Sequence, residues 1–227
     1  MQGTLVNTGT ILAGSLVGLA AGKHMPFRVK DILMQALGLV TITFGFRMIL
    51  LDGRNASVIL AAGTVIAGGL TGELIGIEQG MERFAEWLKK VLRSGSPTFV
   101  EGFVAASVMY LVGPMMILGC LEDGLAGNHQ TLYLKALLDG VASVALASSL
   151  GPGVALSAIS VLLVQGGITL GASFLVFARD PAVLASVSAT GGMLIMGIGI
   201  TLLGLKPIRT GNLVPALVFA IIGPLVL

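Results

Sequence analysis

Apolar runs alternate with short polar turns along almost the whole chain. Eight runs are visible, at residues 3–21, 32–51, 57–77, 98–121, 132–150, 154–178, 184–205 and 211–227. Runs of about 20 apolar residues have the length of a helix that crosses a bilayer. One stretch breaks the rhythm. Between 77 and 93, Met81, Phe84, Leu88 and Val91 recur at helical spacing among Glu82, Arg83, Glu86, Lys89, Lys90 and Arg93, with Trp87 among them. That pattern predicts an amphipathic helix lying on the membrane surface. The expected fold class is all-α, a polytopic transmembrane helical bundle of seven to eight segments. It forms a single integral membrane domain over 1–227: three spans in 1–77, the interfacial helix in 78–93, a central pair in 94–152 and three spans in 153–227.

Polar residues inside apolar runs are few, and each needs a reason. Asn7 stands one to two turns into the first run, and reads either as a hydrogen bond between helices or as a ligand for a solute. Glu73, near the end of the third run, is either a buried partner for a cation or a residue at the interface. Gln165, with Gly166 and Gly167, makes a polar spot in the middle of the sixth, and Asn212 stands at the entry of the eighth. Arg47, near the end of the second, can extend to the headgroups. Gly14, Gly18 and Gly22 repeat at four-residue spacing, as do Gly68, Gly72, Gly76 and Gly80. Flat faces of this kind let helices approach closely, and predict a tight bundle or a homo-oligomer.

The central pair carries a repeated skeleton. Residues 101–114, EGFVAASVMYLVGP, return 38 positions later as residues 139–152, DGVASVALASSLGP. Each copy joins an acid and a glycine to a mostly apolar helix of about fifteen residues, roughly 22 Å long and too short to span the hydrocarbon. Each ends on a Gly-Pro pair, Gly113-Pro114 and Gly151-Pro152, where a helix should be interrupted or reversed. An acid within an apolar segment costs on the order of 2.5 to 3.5 kcal/mol at mid-bilayer, so Glu101 and Asp139 are the first candidates for a site. Lys135 lies one turn before Asp139, where the two can pair. The third Gly-Pro pair, Gly223-Pro224, lacks the upstream acid.

A longer echo runs through the outer spans. A shift of 154 places Gly38, Gly45 and Gly69 on Gly192, Gly199 and Gly223, and a shift of 153 places Gly14 and Gly18 on Gly167 and Gly171. The first three and last three spans therefore read as an inverted internal repeat around Gly-Pro-broken helices.

Composition narrows the function. Hydrophobic residues form 55% of the chain and charged ones 11%, which excludes an ordinary soluble domain. The net charge of +2 is too small and scattered to suggest nucleic acid. Cys120 is the one cysteine, so neither an intramolecular disulfide nor a cysteine-rich metal site is expected. Glu122, Asp123 and His129, in the polar stretch EDGLAGNHQ, read as solvated loop residues. No cofactor or metal is expected. The first run has no basic leader or cleavage site and reads as a retained span. With eight crossings, nine of the thirteen Lys and Arg residues fall on one side, which marks it as cytoplasmic. A re-entrant fourth segment gives the same tally, so charge does not separate seven crossings from eight.

The runs GTLVNTGTILAGSLVG, EGFVAASVMYLVGPMMILGCLEDGLAG, KALLDGVASVALASSLGPGV and TGGMLIMGIGITLLGLKPIRTGNLVPAL together resemble a bacterial inner-membrane family. It is the one catalogued as domain of unknown function 554, the YqgA/YdfK-like proteins. The resemblance covers essentially the whole chain. It implies a multi-pass protein of the bacterial inner membrane and carries no agreed substrate.

The leading functional reading is a small secondary transporter or channel-like permease for a small solute or ion, possible proton or cation coupling included. Its candidate residues are Glu101, Asp139, Gly113, Pro114, Gly151, Pro152, Gln165, Glu73, Asn7 and Asn212. Broken helices within inverted repeats are a common way to build such a site. The alternative is a structural or regulatory oligomeric membrane protein, in which the acids cap helices or pair with Lys135. An enzyme is not expected, because neither a Ser/His/Asp set nor metal-ligand spacing is visible.

Overall fold

The computed structural model describes residues 1–23 and 26–226; His24, Met25 and Leu227, at the end of the eighth predicted run, lie outside the described residues. The elements are α1 (Gln2–Gly22), α2 (Phe27–Arg47), α3 (Val58–Ile75), α4 (Ile77–Val91), α5 (Phe99–Leu111), α6 (Pro114–Ala126), α7 (Gln130–Leu150), α8 (Gly153–Leu170), α9 (Pro181–Leu202) and α10 (Pro215–Val226). A wider π turn, Met48–Asp52, closes α2, and short 3-10 turns precede α9 and α10. Among the described residues six helices are long and apolar enough to cross a membrane, the bent pair α5–α6 makes a seventh candidate, and 210–226 is a shorter apolar stretch. Local chemistry sets the boundaries. Ser57 accepts a hydrogen bond from the Leu60 N–H at the start of α3, and Asp180 accepts one from Ala182 before Pro181 opens α9. Gly76, at φ +74°, turns α3 into α4, and Gly127 ends α6 in the same left-handed region.

The helices run between two ends of the bundle. The N-terminal end holds Met1, the α2–α3 turn, the α6–α7 turn and the last residues of α8 and α10. The opposite end holds α4 and carries most of the Lys and Arg residues; it is called the basic end below. α5 starts at the basic end, where Thr98 bonds the Leu150 carbonyl. α6 finishes at the N-terminal end, where Asp123 meets the Met1 amine. The fourth segment therefore passes through the bundle, bent by 63° at its break.

Glycines set the closest contacts. α1 lies parallel to α7, and a Cβ at Gly14, Gly18 or Gly22 would overlap the carbonyl oxygens of Gly140, Val144 and Ser148 in turn. α2 and α9 cross antiparallel with reciprocal contacts. A Cβ at Gly38 would lie 3.0 Å from the Gly199 carbonyl oxygen, and one at Gly192 would lie 2.7 Å from that of Gly45. A Cβ at Gly45 would sit 3.1 Å from the Met196 nitrogen, and one at Gly199 would sit 3.0 Å from that of Ile42. Each contact is the image of another under the shift of 154, so α2 and α9 meet about a local two-fold axis.

Several expectations change. The four-glycine register of the third run is broken: Gly68 and Gly72 pack on Ala216 and Asn212, Gly76 is a turn, and Gly80 faces open space in α4. The 153-residue echo carries no equivalent packing, because Gly14 and Gly18 are buried against α7 while Gly167 faces open space. The main glycine ridges are spent inside the chain, so self-association would have to use other surfaces. The polar stretch after residue 121 is helical to Ala126 rather than a loop. α7 begins nine residues before Asp139 and has 21 residues, long enough to cross, unlike the short helix expected of each copy.

Candidate functional site

Three of the expected residues converge. Asn7 of α1, Asp139 of α7 and Gln165 of α8 are buried together in the bundle. The Asn7 amide donates from Nδ2 to Asp139 Oδ2 at 2.9 Å and to Gln165 Oε1 at 3.0 Å. Gln165 Nε2 donates to the Thr4 hydroxyl at 3.2 Å, which lies 3.4 Å from that of Thr169. Lys135 forms an ion pair with Asp139 from one turn below it on α7. Its ammonium stands over the Tyr110 ring, 5.9 Å from the centroid, and the Tyr110 hydroxyl lies 2.8 Å from Ser143 Oγ. Ser143 in turn donates to the Asp139 carbonyl.

Four helices thus surround one carboxylate and one ammonium. At 1.5 Å per residue, Asn7 and Asp139 lie roughly 8 to 14 Å in from the N-terminal end. Burying two such charges costs several kcal/mol per ion unless they are paired and hydrogen-bonded, and here they are both. One atom is left over: Asn7 Oδ1 is buried without a hydrogen-bond partner among the described residues. The Asp139 carboxylate sets its orientation, because an ionised carboxylate only accepts and so faces the Asn7 nitrogen. The N-terminal end is closed above the cluster. Asp123 accepts from the Met1 amine at 2.8 Å and the Gly3 N–H at 3.1 Å, and lies 2.8 Å from His129 Nδ1.

Glu101 does not join Asp139. It lies in the first turn of α5 at the basic end, exposed, and makes no hydrogen bond or ion pair among the described residues. It lines a half-open cleft of about 540 Å³ together with Glu78, Glu82, Thr201, Arg209 and Thr210. Beside the cleft, Glu73 and Asn212 come together. Asn212 Nδ2 donates to Glu73 Oε2 at 2.7 Å, and Asn212 Oδ1 accepts the Glu78 N–H at 2.7 Å, capping α4. Arg209 bonds Glu73, and the Gly211 N–H bonds Glu78. Burial pushes the Glu78 carboxyl above its usual range, opposed by the backbone donors at Gly211 and Asn212.

The two Gly-Pro pairs fold alike but sit at different depths. In each, glycine takes a positive φ, +143° at Gly113 and +82° at Gly151, and proline stands at the start of the next helix. Gly113 is buried beside Gly191, halfway along α9, so its break is deep in the bundle. Gly151 lies near Ser96 and Thr98 at the basic end, where α7 simply finishes. Sequence reasoning missed Thr4, Tyr110, Ser143 and Thr169. Thr4 and Thr169 stand one helical turn from Asn7 and Gln165, and that shared face was the available signal.

The chain is 34% identical over 220 residues to "Uncharacterized membrane protein YdfK" of Bacillus subtilis (strain 168), covering 96% of this chain and 93% of that one. It is 25% identical over 223 residues to "Uncharacterized protein YqgA" of Escherichia coli (strain K12), covering 96% and 94%. No solved structure matches. The family model described as "Protein of unknown function (DUF554)" matches residues 2–224. The chain is thus a helical membrane protein and belongs to the DUF554 family.

Proposed function

We propose that this protein is a small secondary transporter or permease of the bacterial inner membrane, crossing it eight times with both termini outside. The observation that carries the reading is the buried Lys135–Asp139 pair, ringed by the amides of Asn7 and Gln165 on neighbouring helices. Ionisable groups inside a membrane bundle are costly and mark solute or ion pathways by default. Nine of the thirteen Lys and Arg residues gather at the basic end, which supports its placement in the cytoplasm.

α5 links two polar regions. Glu101 at its first turn faces the cytoplasmic cleft, Tyr110 near its last turn touches the cluster, and the Gly113–Pro114 break follows. Tilting α5 about that break would open the cluster to the cleft, while the Asp123 cap keeps the outer end shut. The reciprocal crossing of α2 and α9 supports an inverted repeat, the architecture on which such rocking is commonly built.

The test is solute flux in vesicles containing the purified chain. Panels of small cations and neutral solutes should yield at least one whose uptake exceeds that of protein-free vesicles and is lost in Asp139→Asn while the variant stays folded. If no solute moves faster than in empty vesicles, the transport reading fails and a structural role for the satisfied network takes its place.

A further inference from the structure

We infer that the cluster binds a monovalent alkali cation at Asp139 in competition with Lys135, so that each cation bound displaces one proton. This rests on the transport reading above and names its substrate class and coupling.

The donor set is the first argument. Besides the Asp139 carboxylate, the network holds the amide oxygens of Asn7 and Gln165, the hydroxyls of Thr4 and Thr169 beyond Gln165, and the Ser143 hydroxyl on the Asp139 backbone carbonyl. Hard cations take oxygen ligands of this kind. Asn7 Oδ1 is the second argument, because a fully buried amide oxygen without a partner is an unused ligand. Among the described residues there is no group of three or more His, Cys, Asp or Glu side chains suited to a metal. A single carboxylate among neutral oxygens fits a singly charged ion.

Charge balance gives the coupling. The paired site is neutral as it stands. Adding M⁺ while the ammonium stays would leave a net positive charge in an apolar interior, a state that buried sites avoid. Lys135 is anchored on α7 and buried, so it cannot follow bulk water. The balanced exchange is M⁺ plus Lys-NH₃⁺···⁻OOC-Asp giving M⁺···⁻OOC-Asp plus Lys-NH₂ plus H⁺. A divalent ion would leave one charge uncompensated. Among the described residues the surrounding helices offer no other exchange partner: α1 and α8 present amides and hydroxyls, α5 presents Tyr110, and α6 presents Cys120 and the already engaged Asp123. α2 makes no hydrogen bond or ion pair with the pair among the described residues.

The experiment uses the full chain in phosphatidylethanolamine and phosphatidylglycerol vesicles with a trapped pH dye, challenged with Na⁺, Li⁺ or K⁺ gradients. In the wild type a cation gradient should drive protons the opposite way, at a rate unaffected by a clamped membrane potential. Lys135→Arg keeps the ion pair but cannot shed its proton, so it should fold while losing at least tenfold in cation-driven proton movement. Lys135→Gln should carry cations without protons, driven by the potential. A structural lysine would be rescued by arginine, so wild-type exchange in Lys135→Arg overturns the inference. Cation flux without proton movement in the wild type overturns it too, yet leaves the transport reading standing. If none of the three ions moves while another solute does, only the cation class and its coupling fall.

Discussion

The side-chain amide of Asn7 donates to the carboxylate of Asp139 at 2.9 Å, across 132 positions of sequence. The same amide holds Gln165, so a single residue of the first helix ties α7 and α8 together. Because Asp139 also carries Lys135, removing either charged partner leaves the other buried and uncompensated. Asp139→Asn should therefore cost about 3 to 5 kcal/mol. The double variant Lys135→Met with Asp139→Leu should be close to neutral. Thermal unfolding in detergent checks both, and a double-variant loss equal to the sum of the Lys135→Met and Asp139→Leu losses would show that the pair is not coupled.

The glycine contacts make a prediction with internal controls. Alanine at Gly14, Gly72 or Gly153 would push a methyl group into the backbone of Gly140, Asn212 or Phe99. Overpacking of this kind costs about 1 to 3 kcal/mol. Alanine at Gly9, Gly63 or Gly80 meets nothing within 4 Å and should be neutral or stabilising, up to about 1 kcal/mol from helix propensity. Melting temperatures of the six variants should fall into these two groups.

Gly113 and Gly151 separate backbone strain from motion. Both adopt positive φ, and alanine at either should cost on the order of 1 to 3 kcal/mol. Only Gly113 lies at the break beside α9, so Gly113→Ala should slow flux in vesicles much more than Gly151→Ala at similar stability. Equal slowing would place no hinge there.

Glu78 gives a pH dependence at the basic end. Burial raises its carboxyl above the ordinary value of 4.5. A raised acid binds its proton more readily folded than unfolded, so its contribution is full at low pH and is lost as pH climbs through the raised value. Relative to Glu78→Gln, the wild type should gain melting temperature as pH falls from neutral toward 4.5. An unchanged difference across that range would mean that Glu78 is as well solvated folded as unfolded.

How much of this was readable in advance differs residue by residue. The helices were, since apolar runs of spanning length leave little choice in a bilayer, and so were Asn7, Asp139 and Gln165 as polar residues in such runs. Their meeting was not. It depends on α1 pairing with α7 and α8, helices more than 120 positions away, and periodicity within a run carries no information about partners. The repeated skeleton marked two breaks but not their depths, because its second copy begins at Asp139, well inside the run 132–150 that already has the length to cross, so that break falls at the end of a span. Asp123 looked solvated for a different reason. Its counter-charge is the Met1 amine, which sequence distance conceals.

The pairing of early helices with late ones has a consequence for biogenesis. α1 packs on α7 and α8, α2 on α9 and α3 on α10, and none of the first three packs substantially on another. While the ribosome is still making the middle of the chain, three glycine-ridged spans already in the bilayer have no mates. They must wait as loose, lipid-solvated helices, with Asn7 facing hydrocarbon, until the second half emerges and is threaded between them. Assembly is a late closing step.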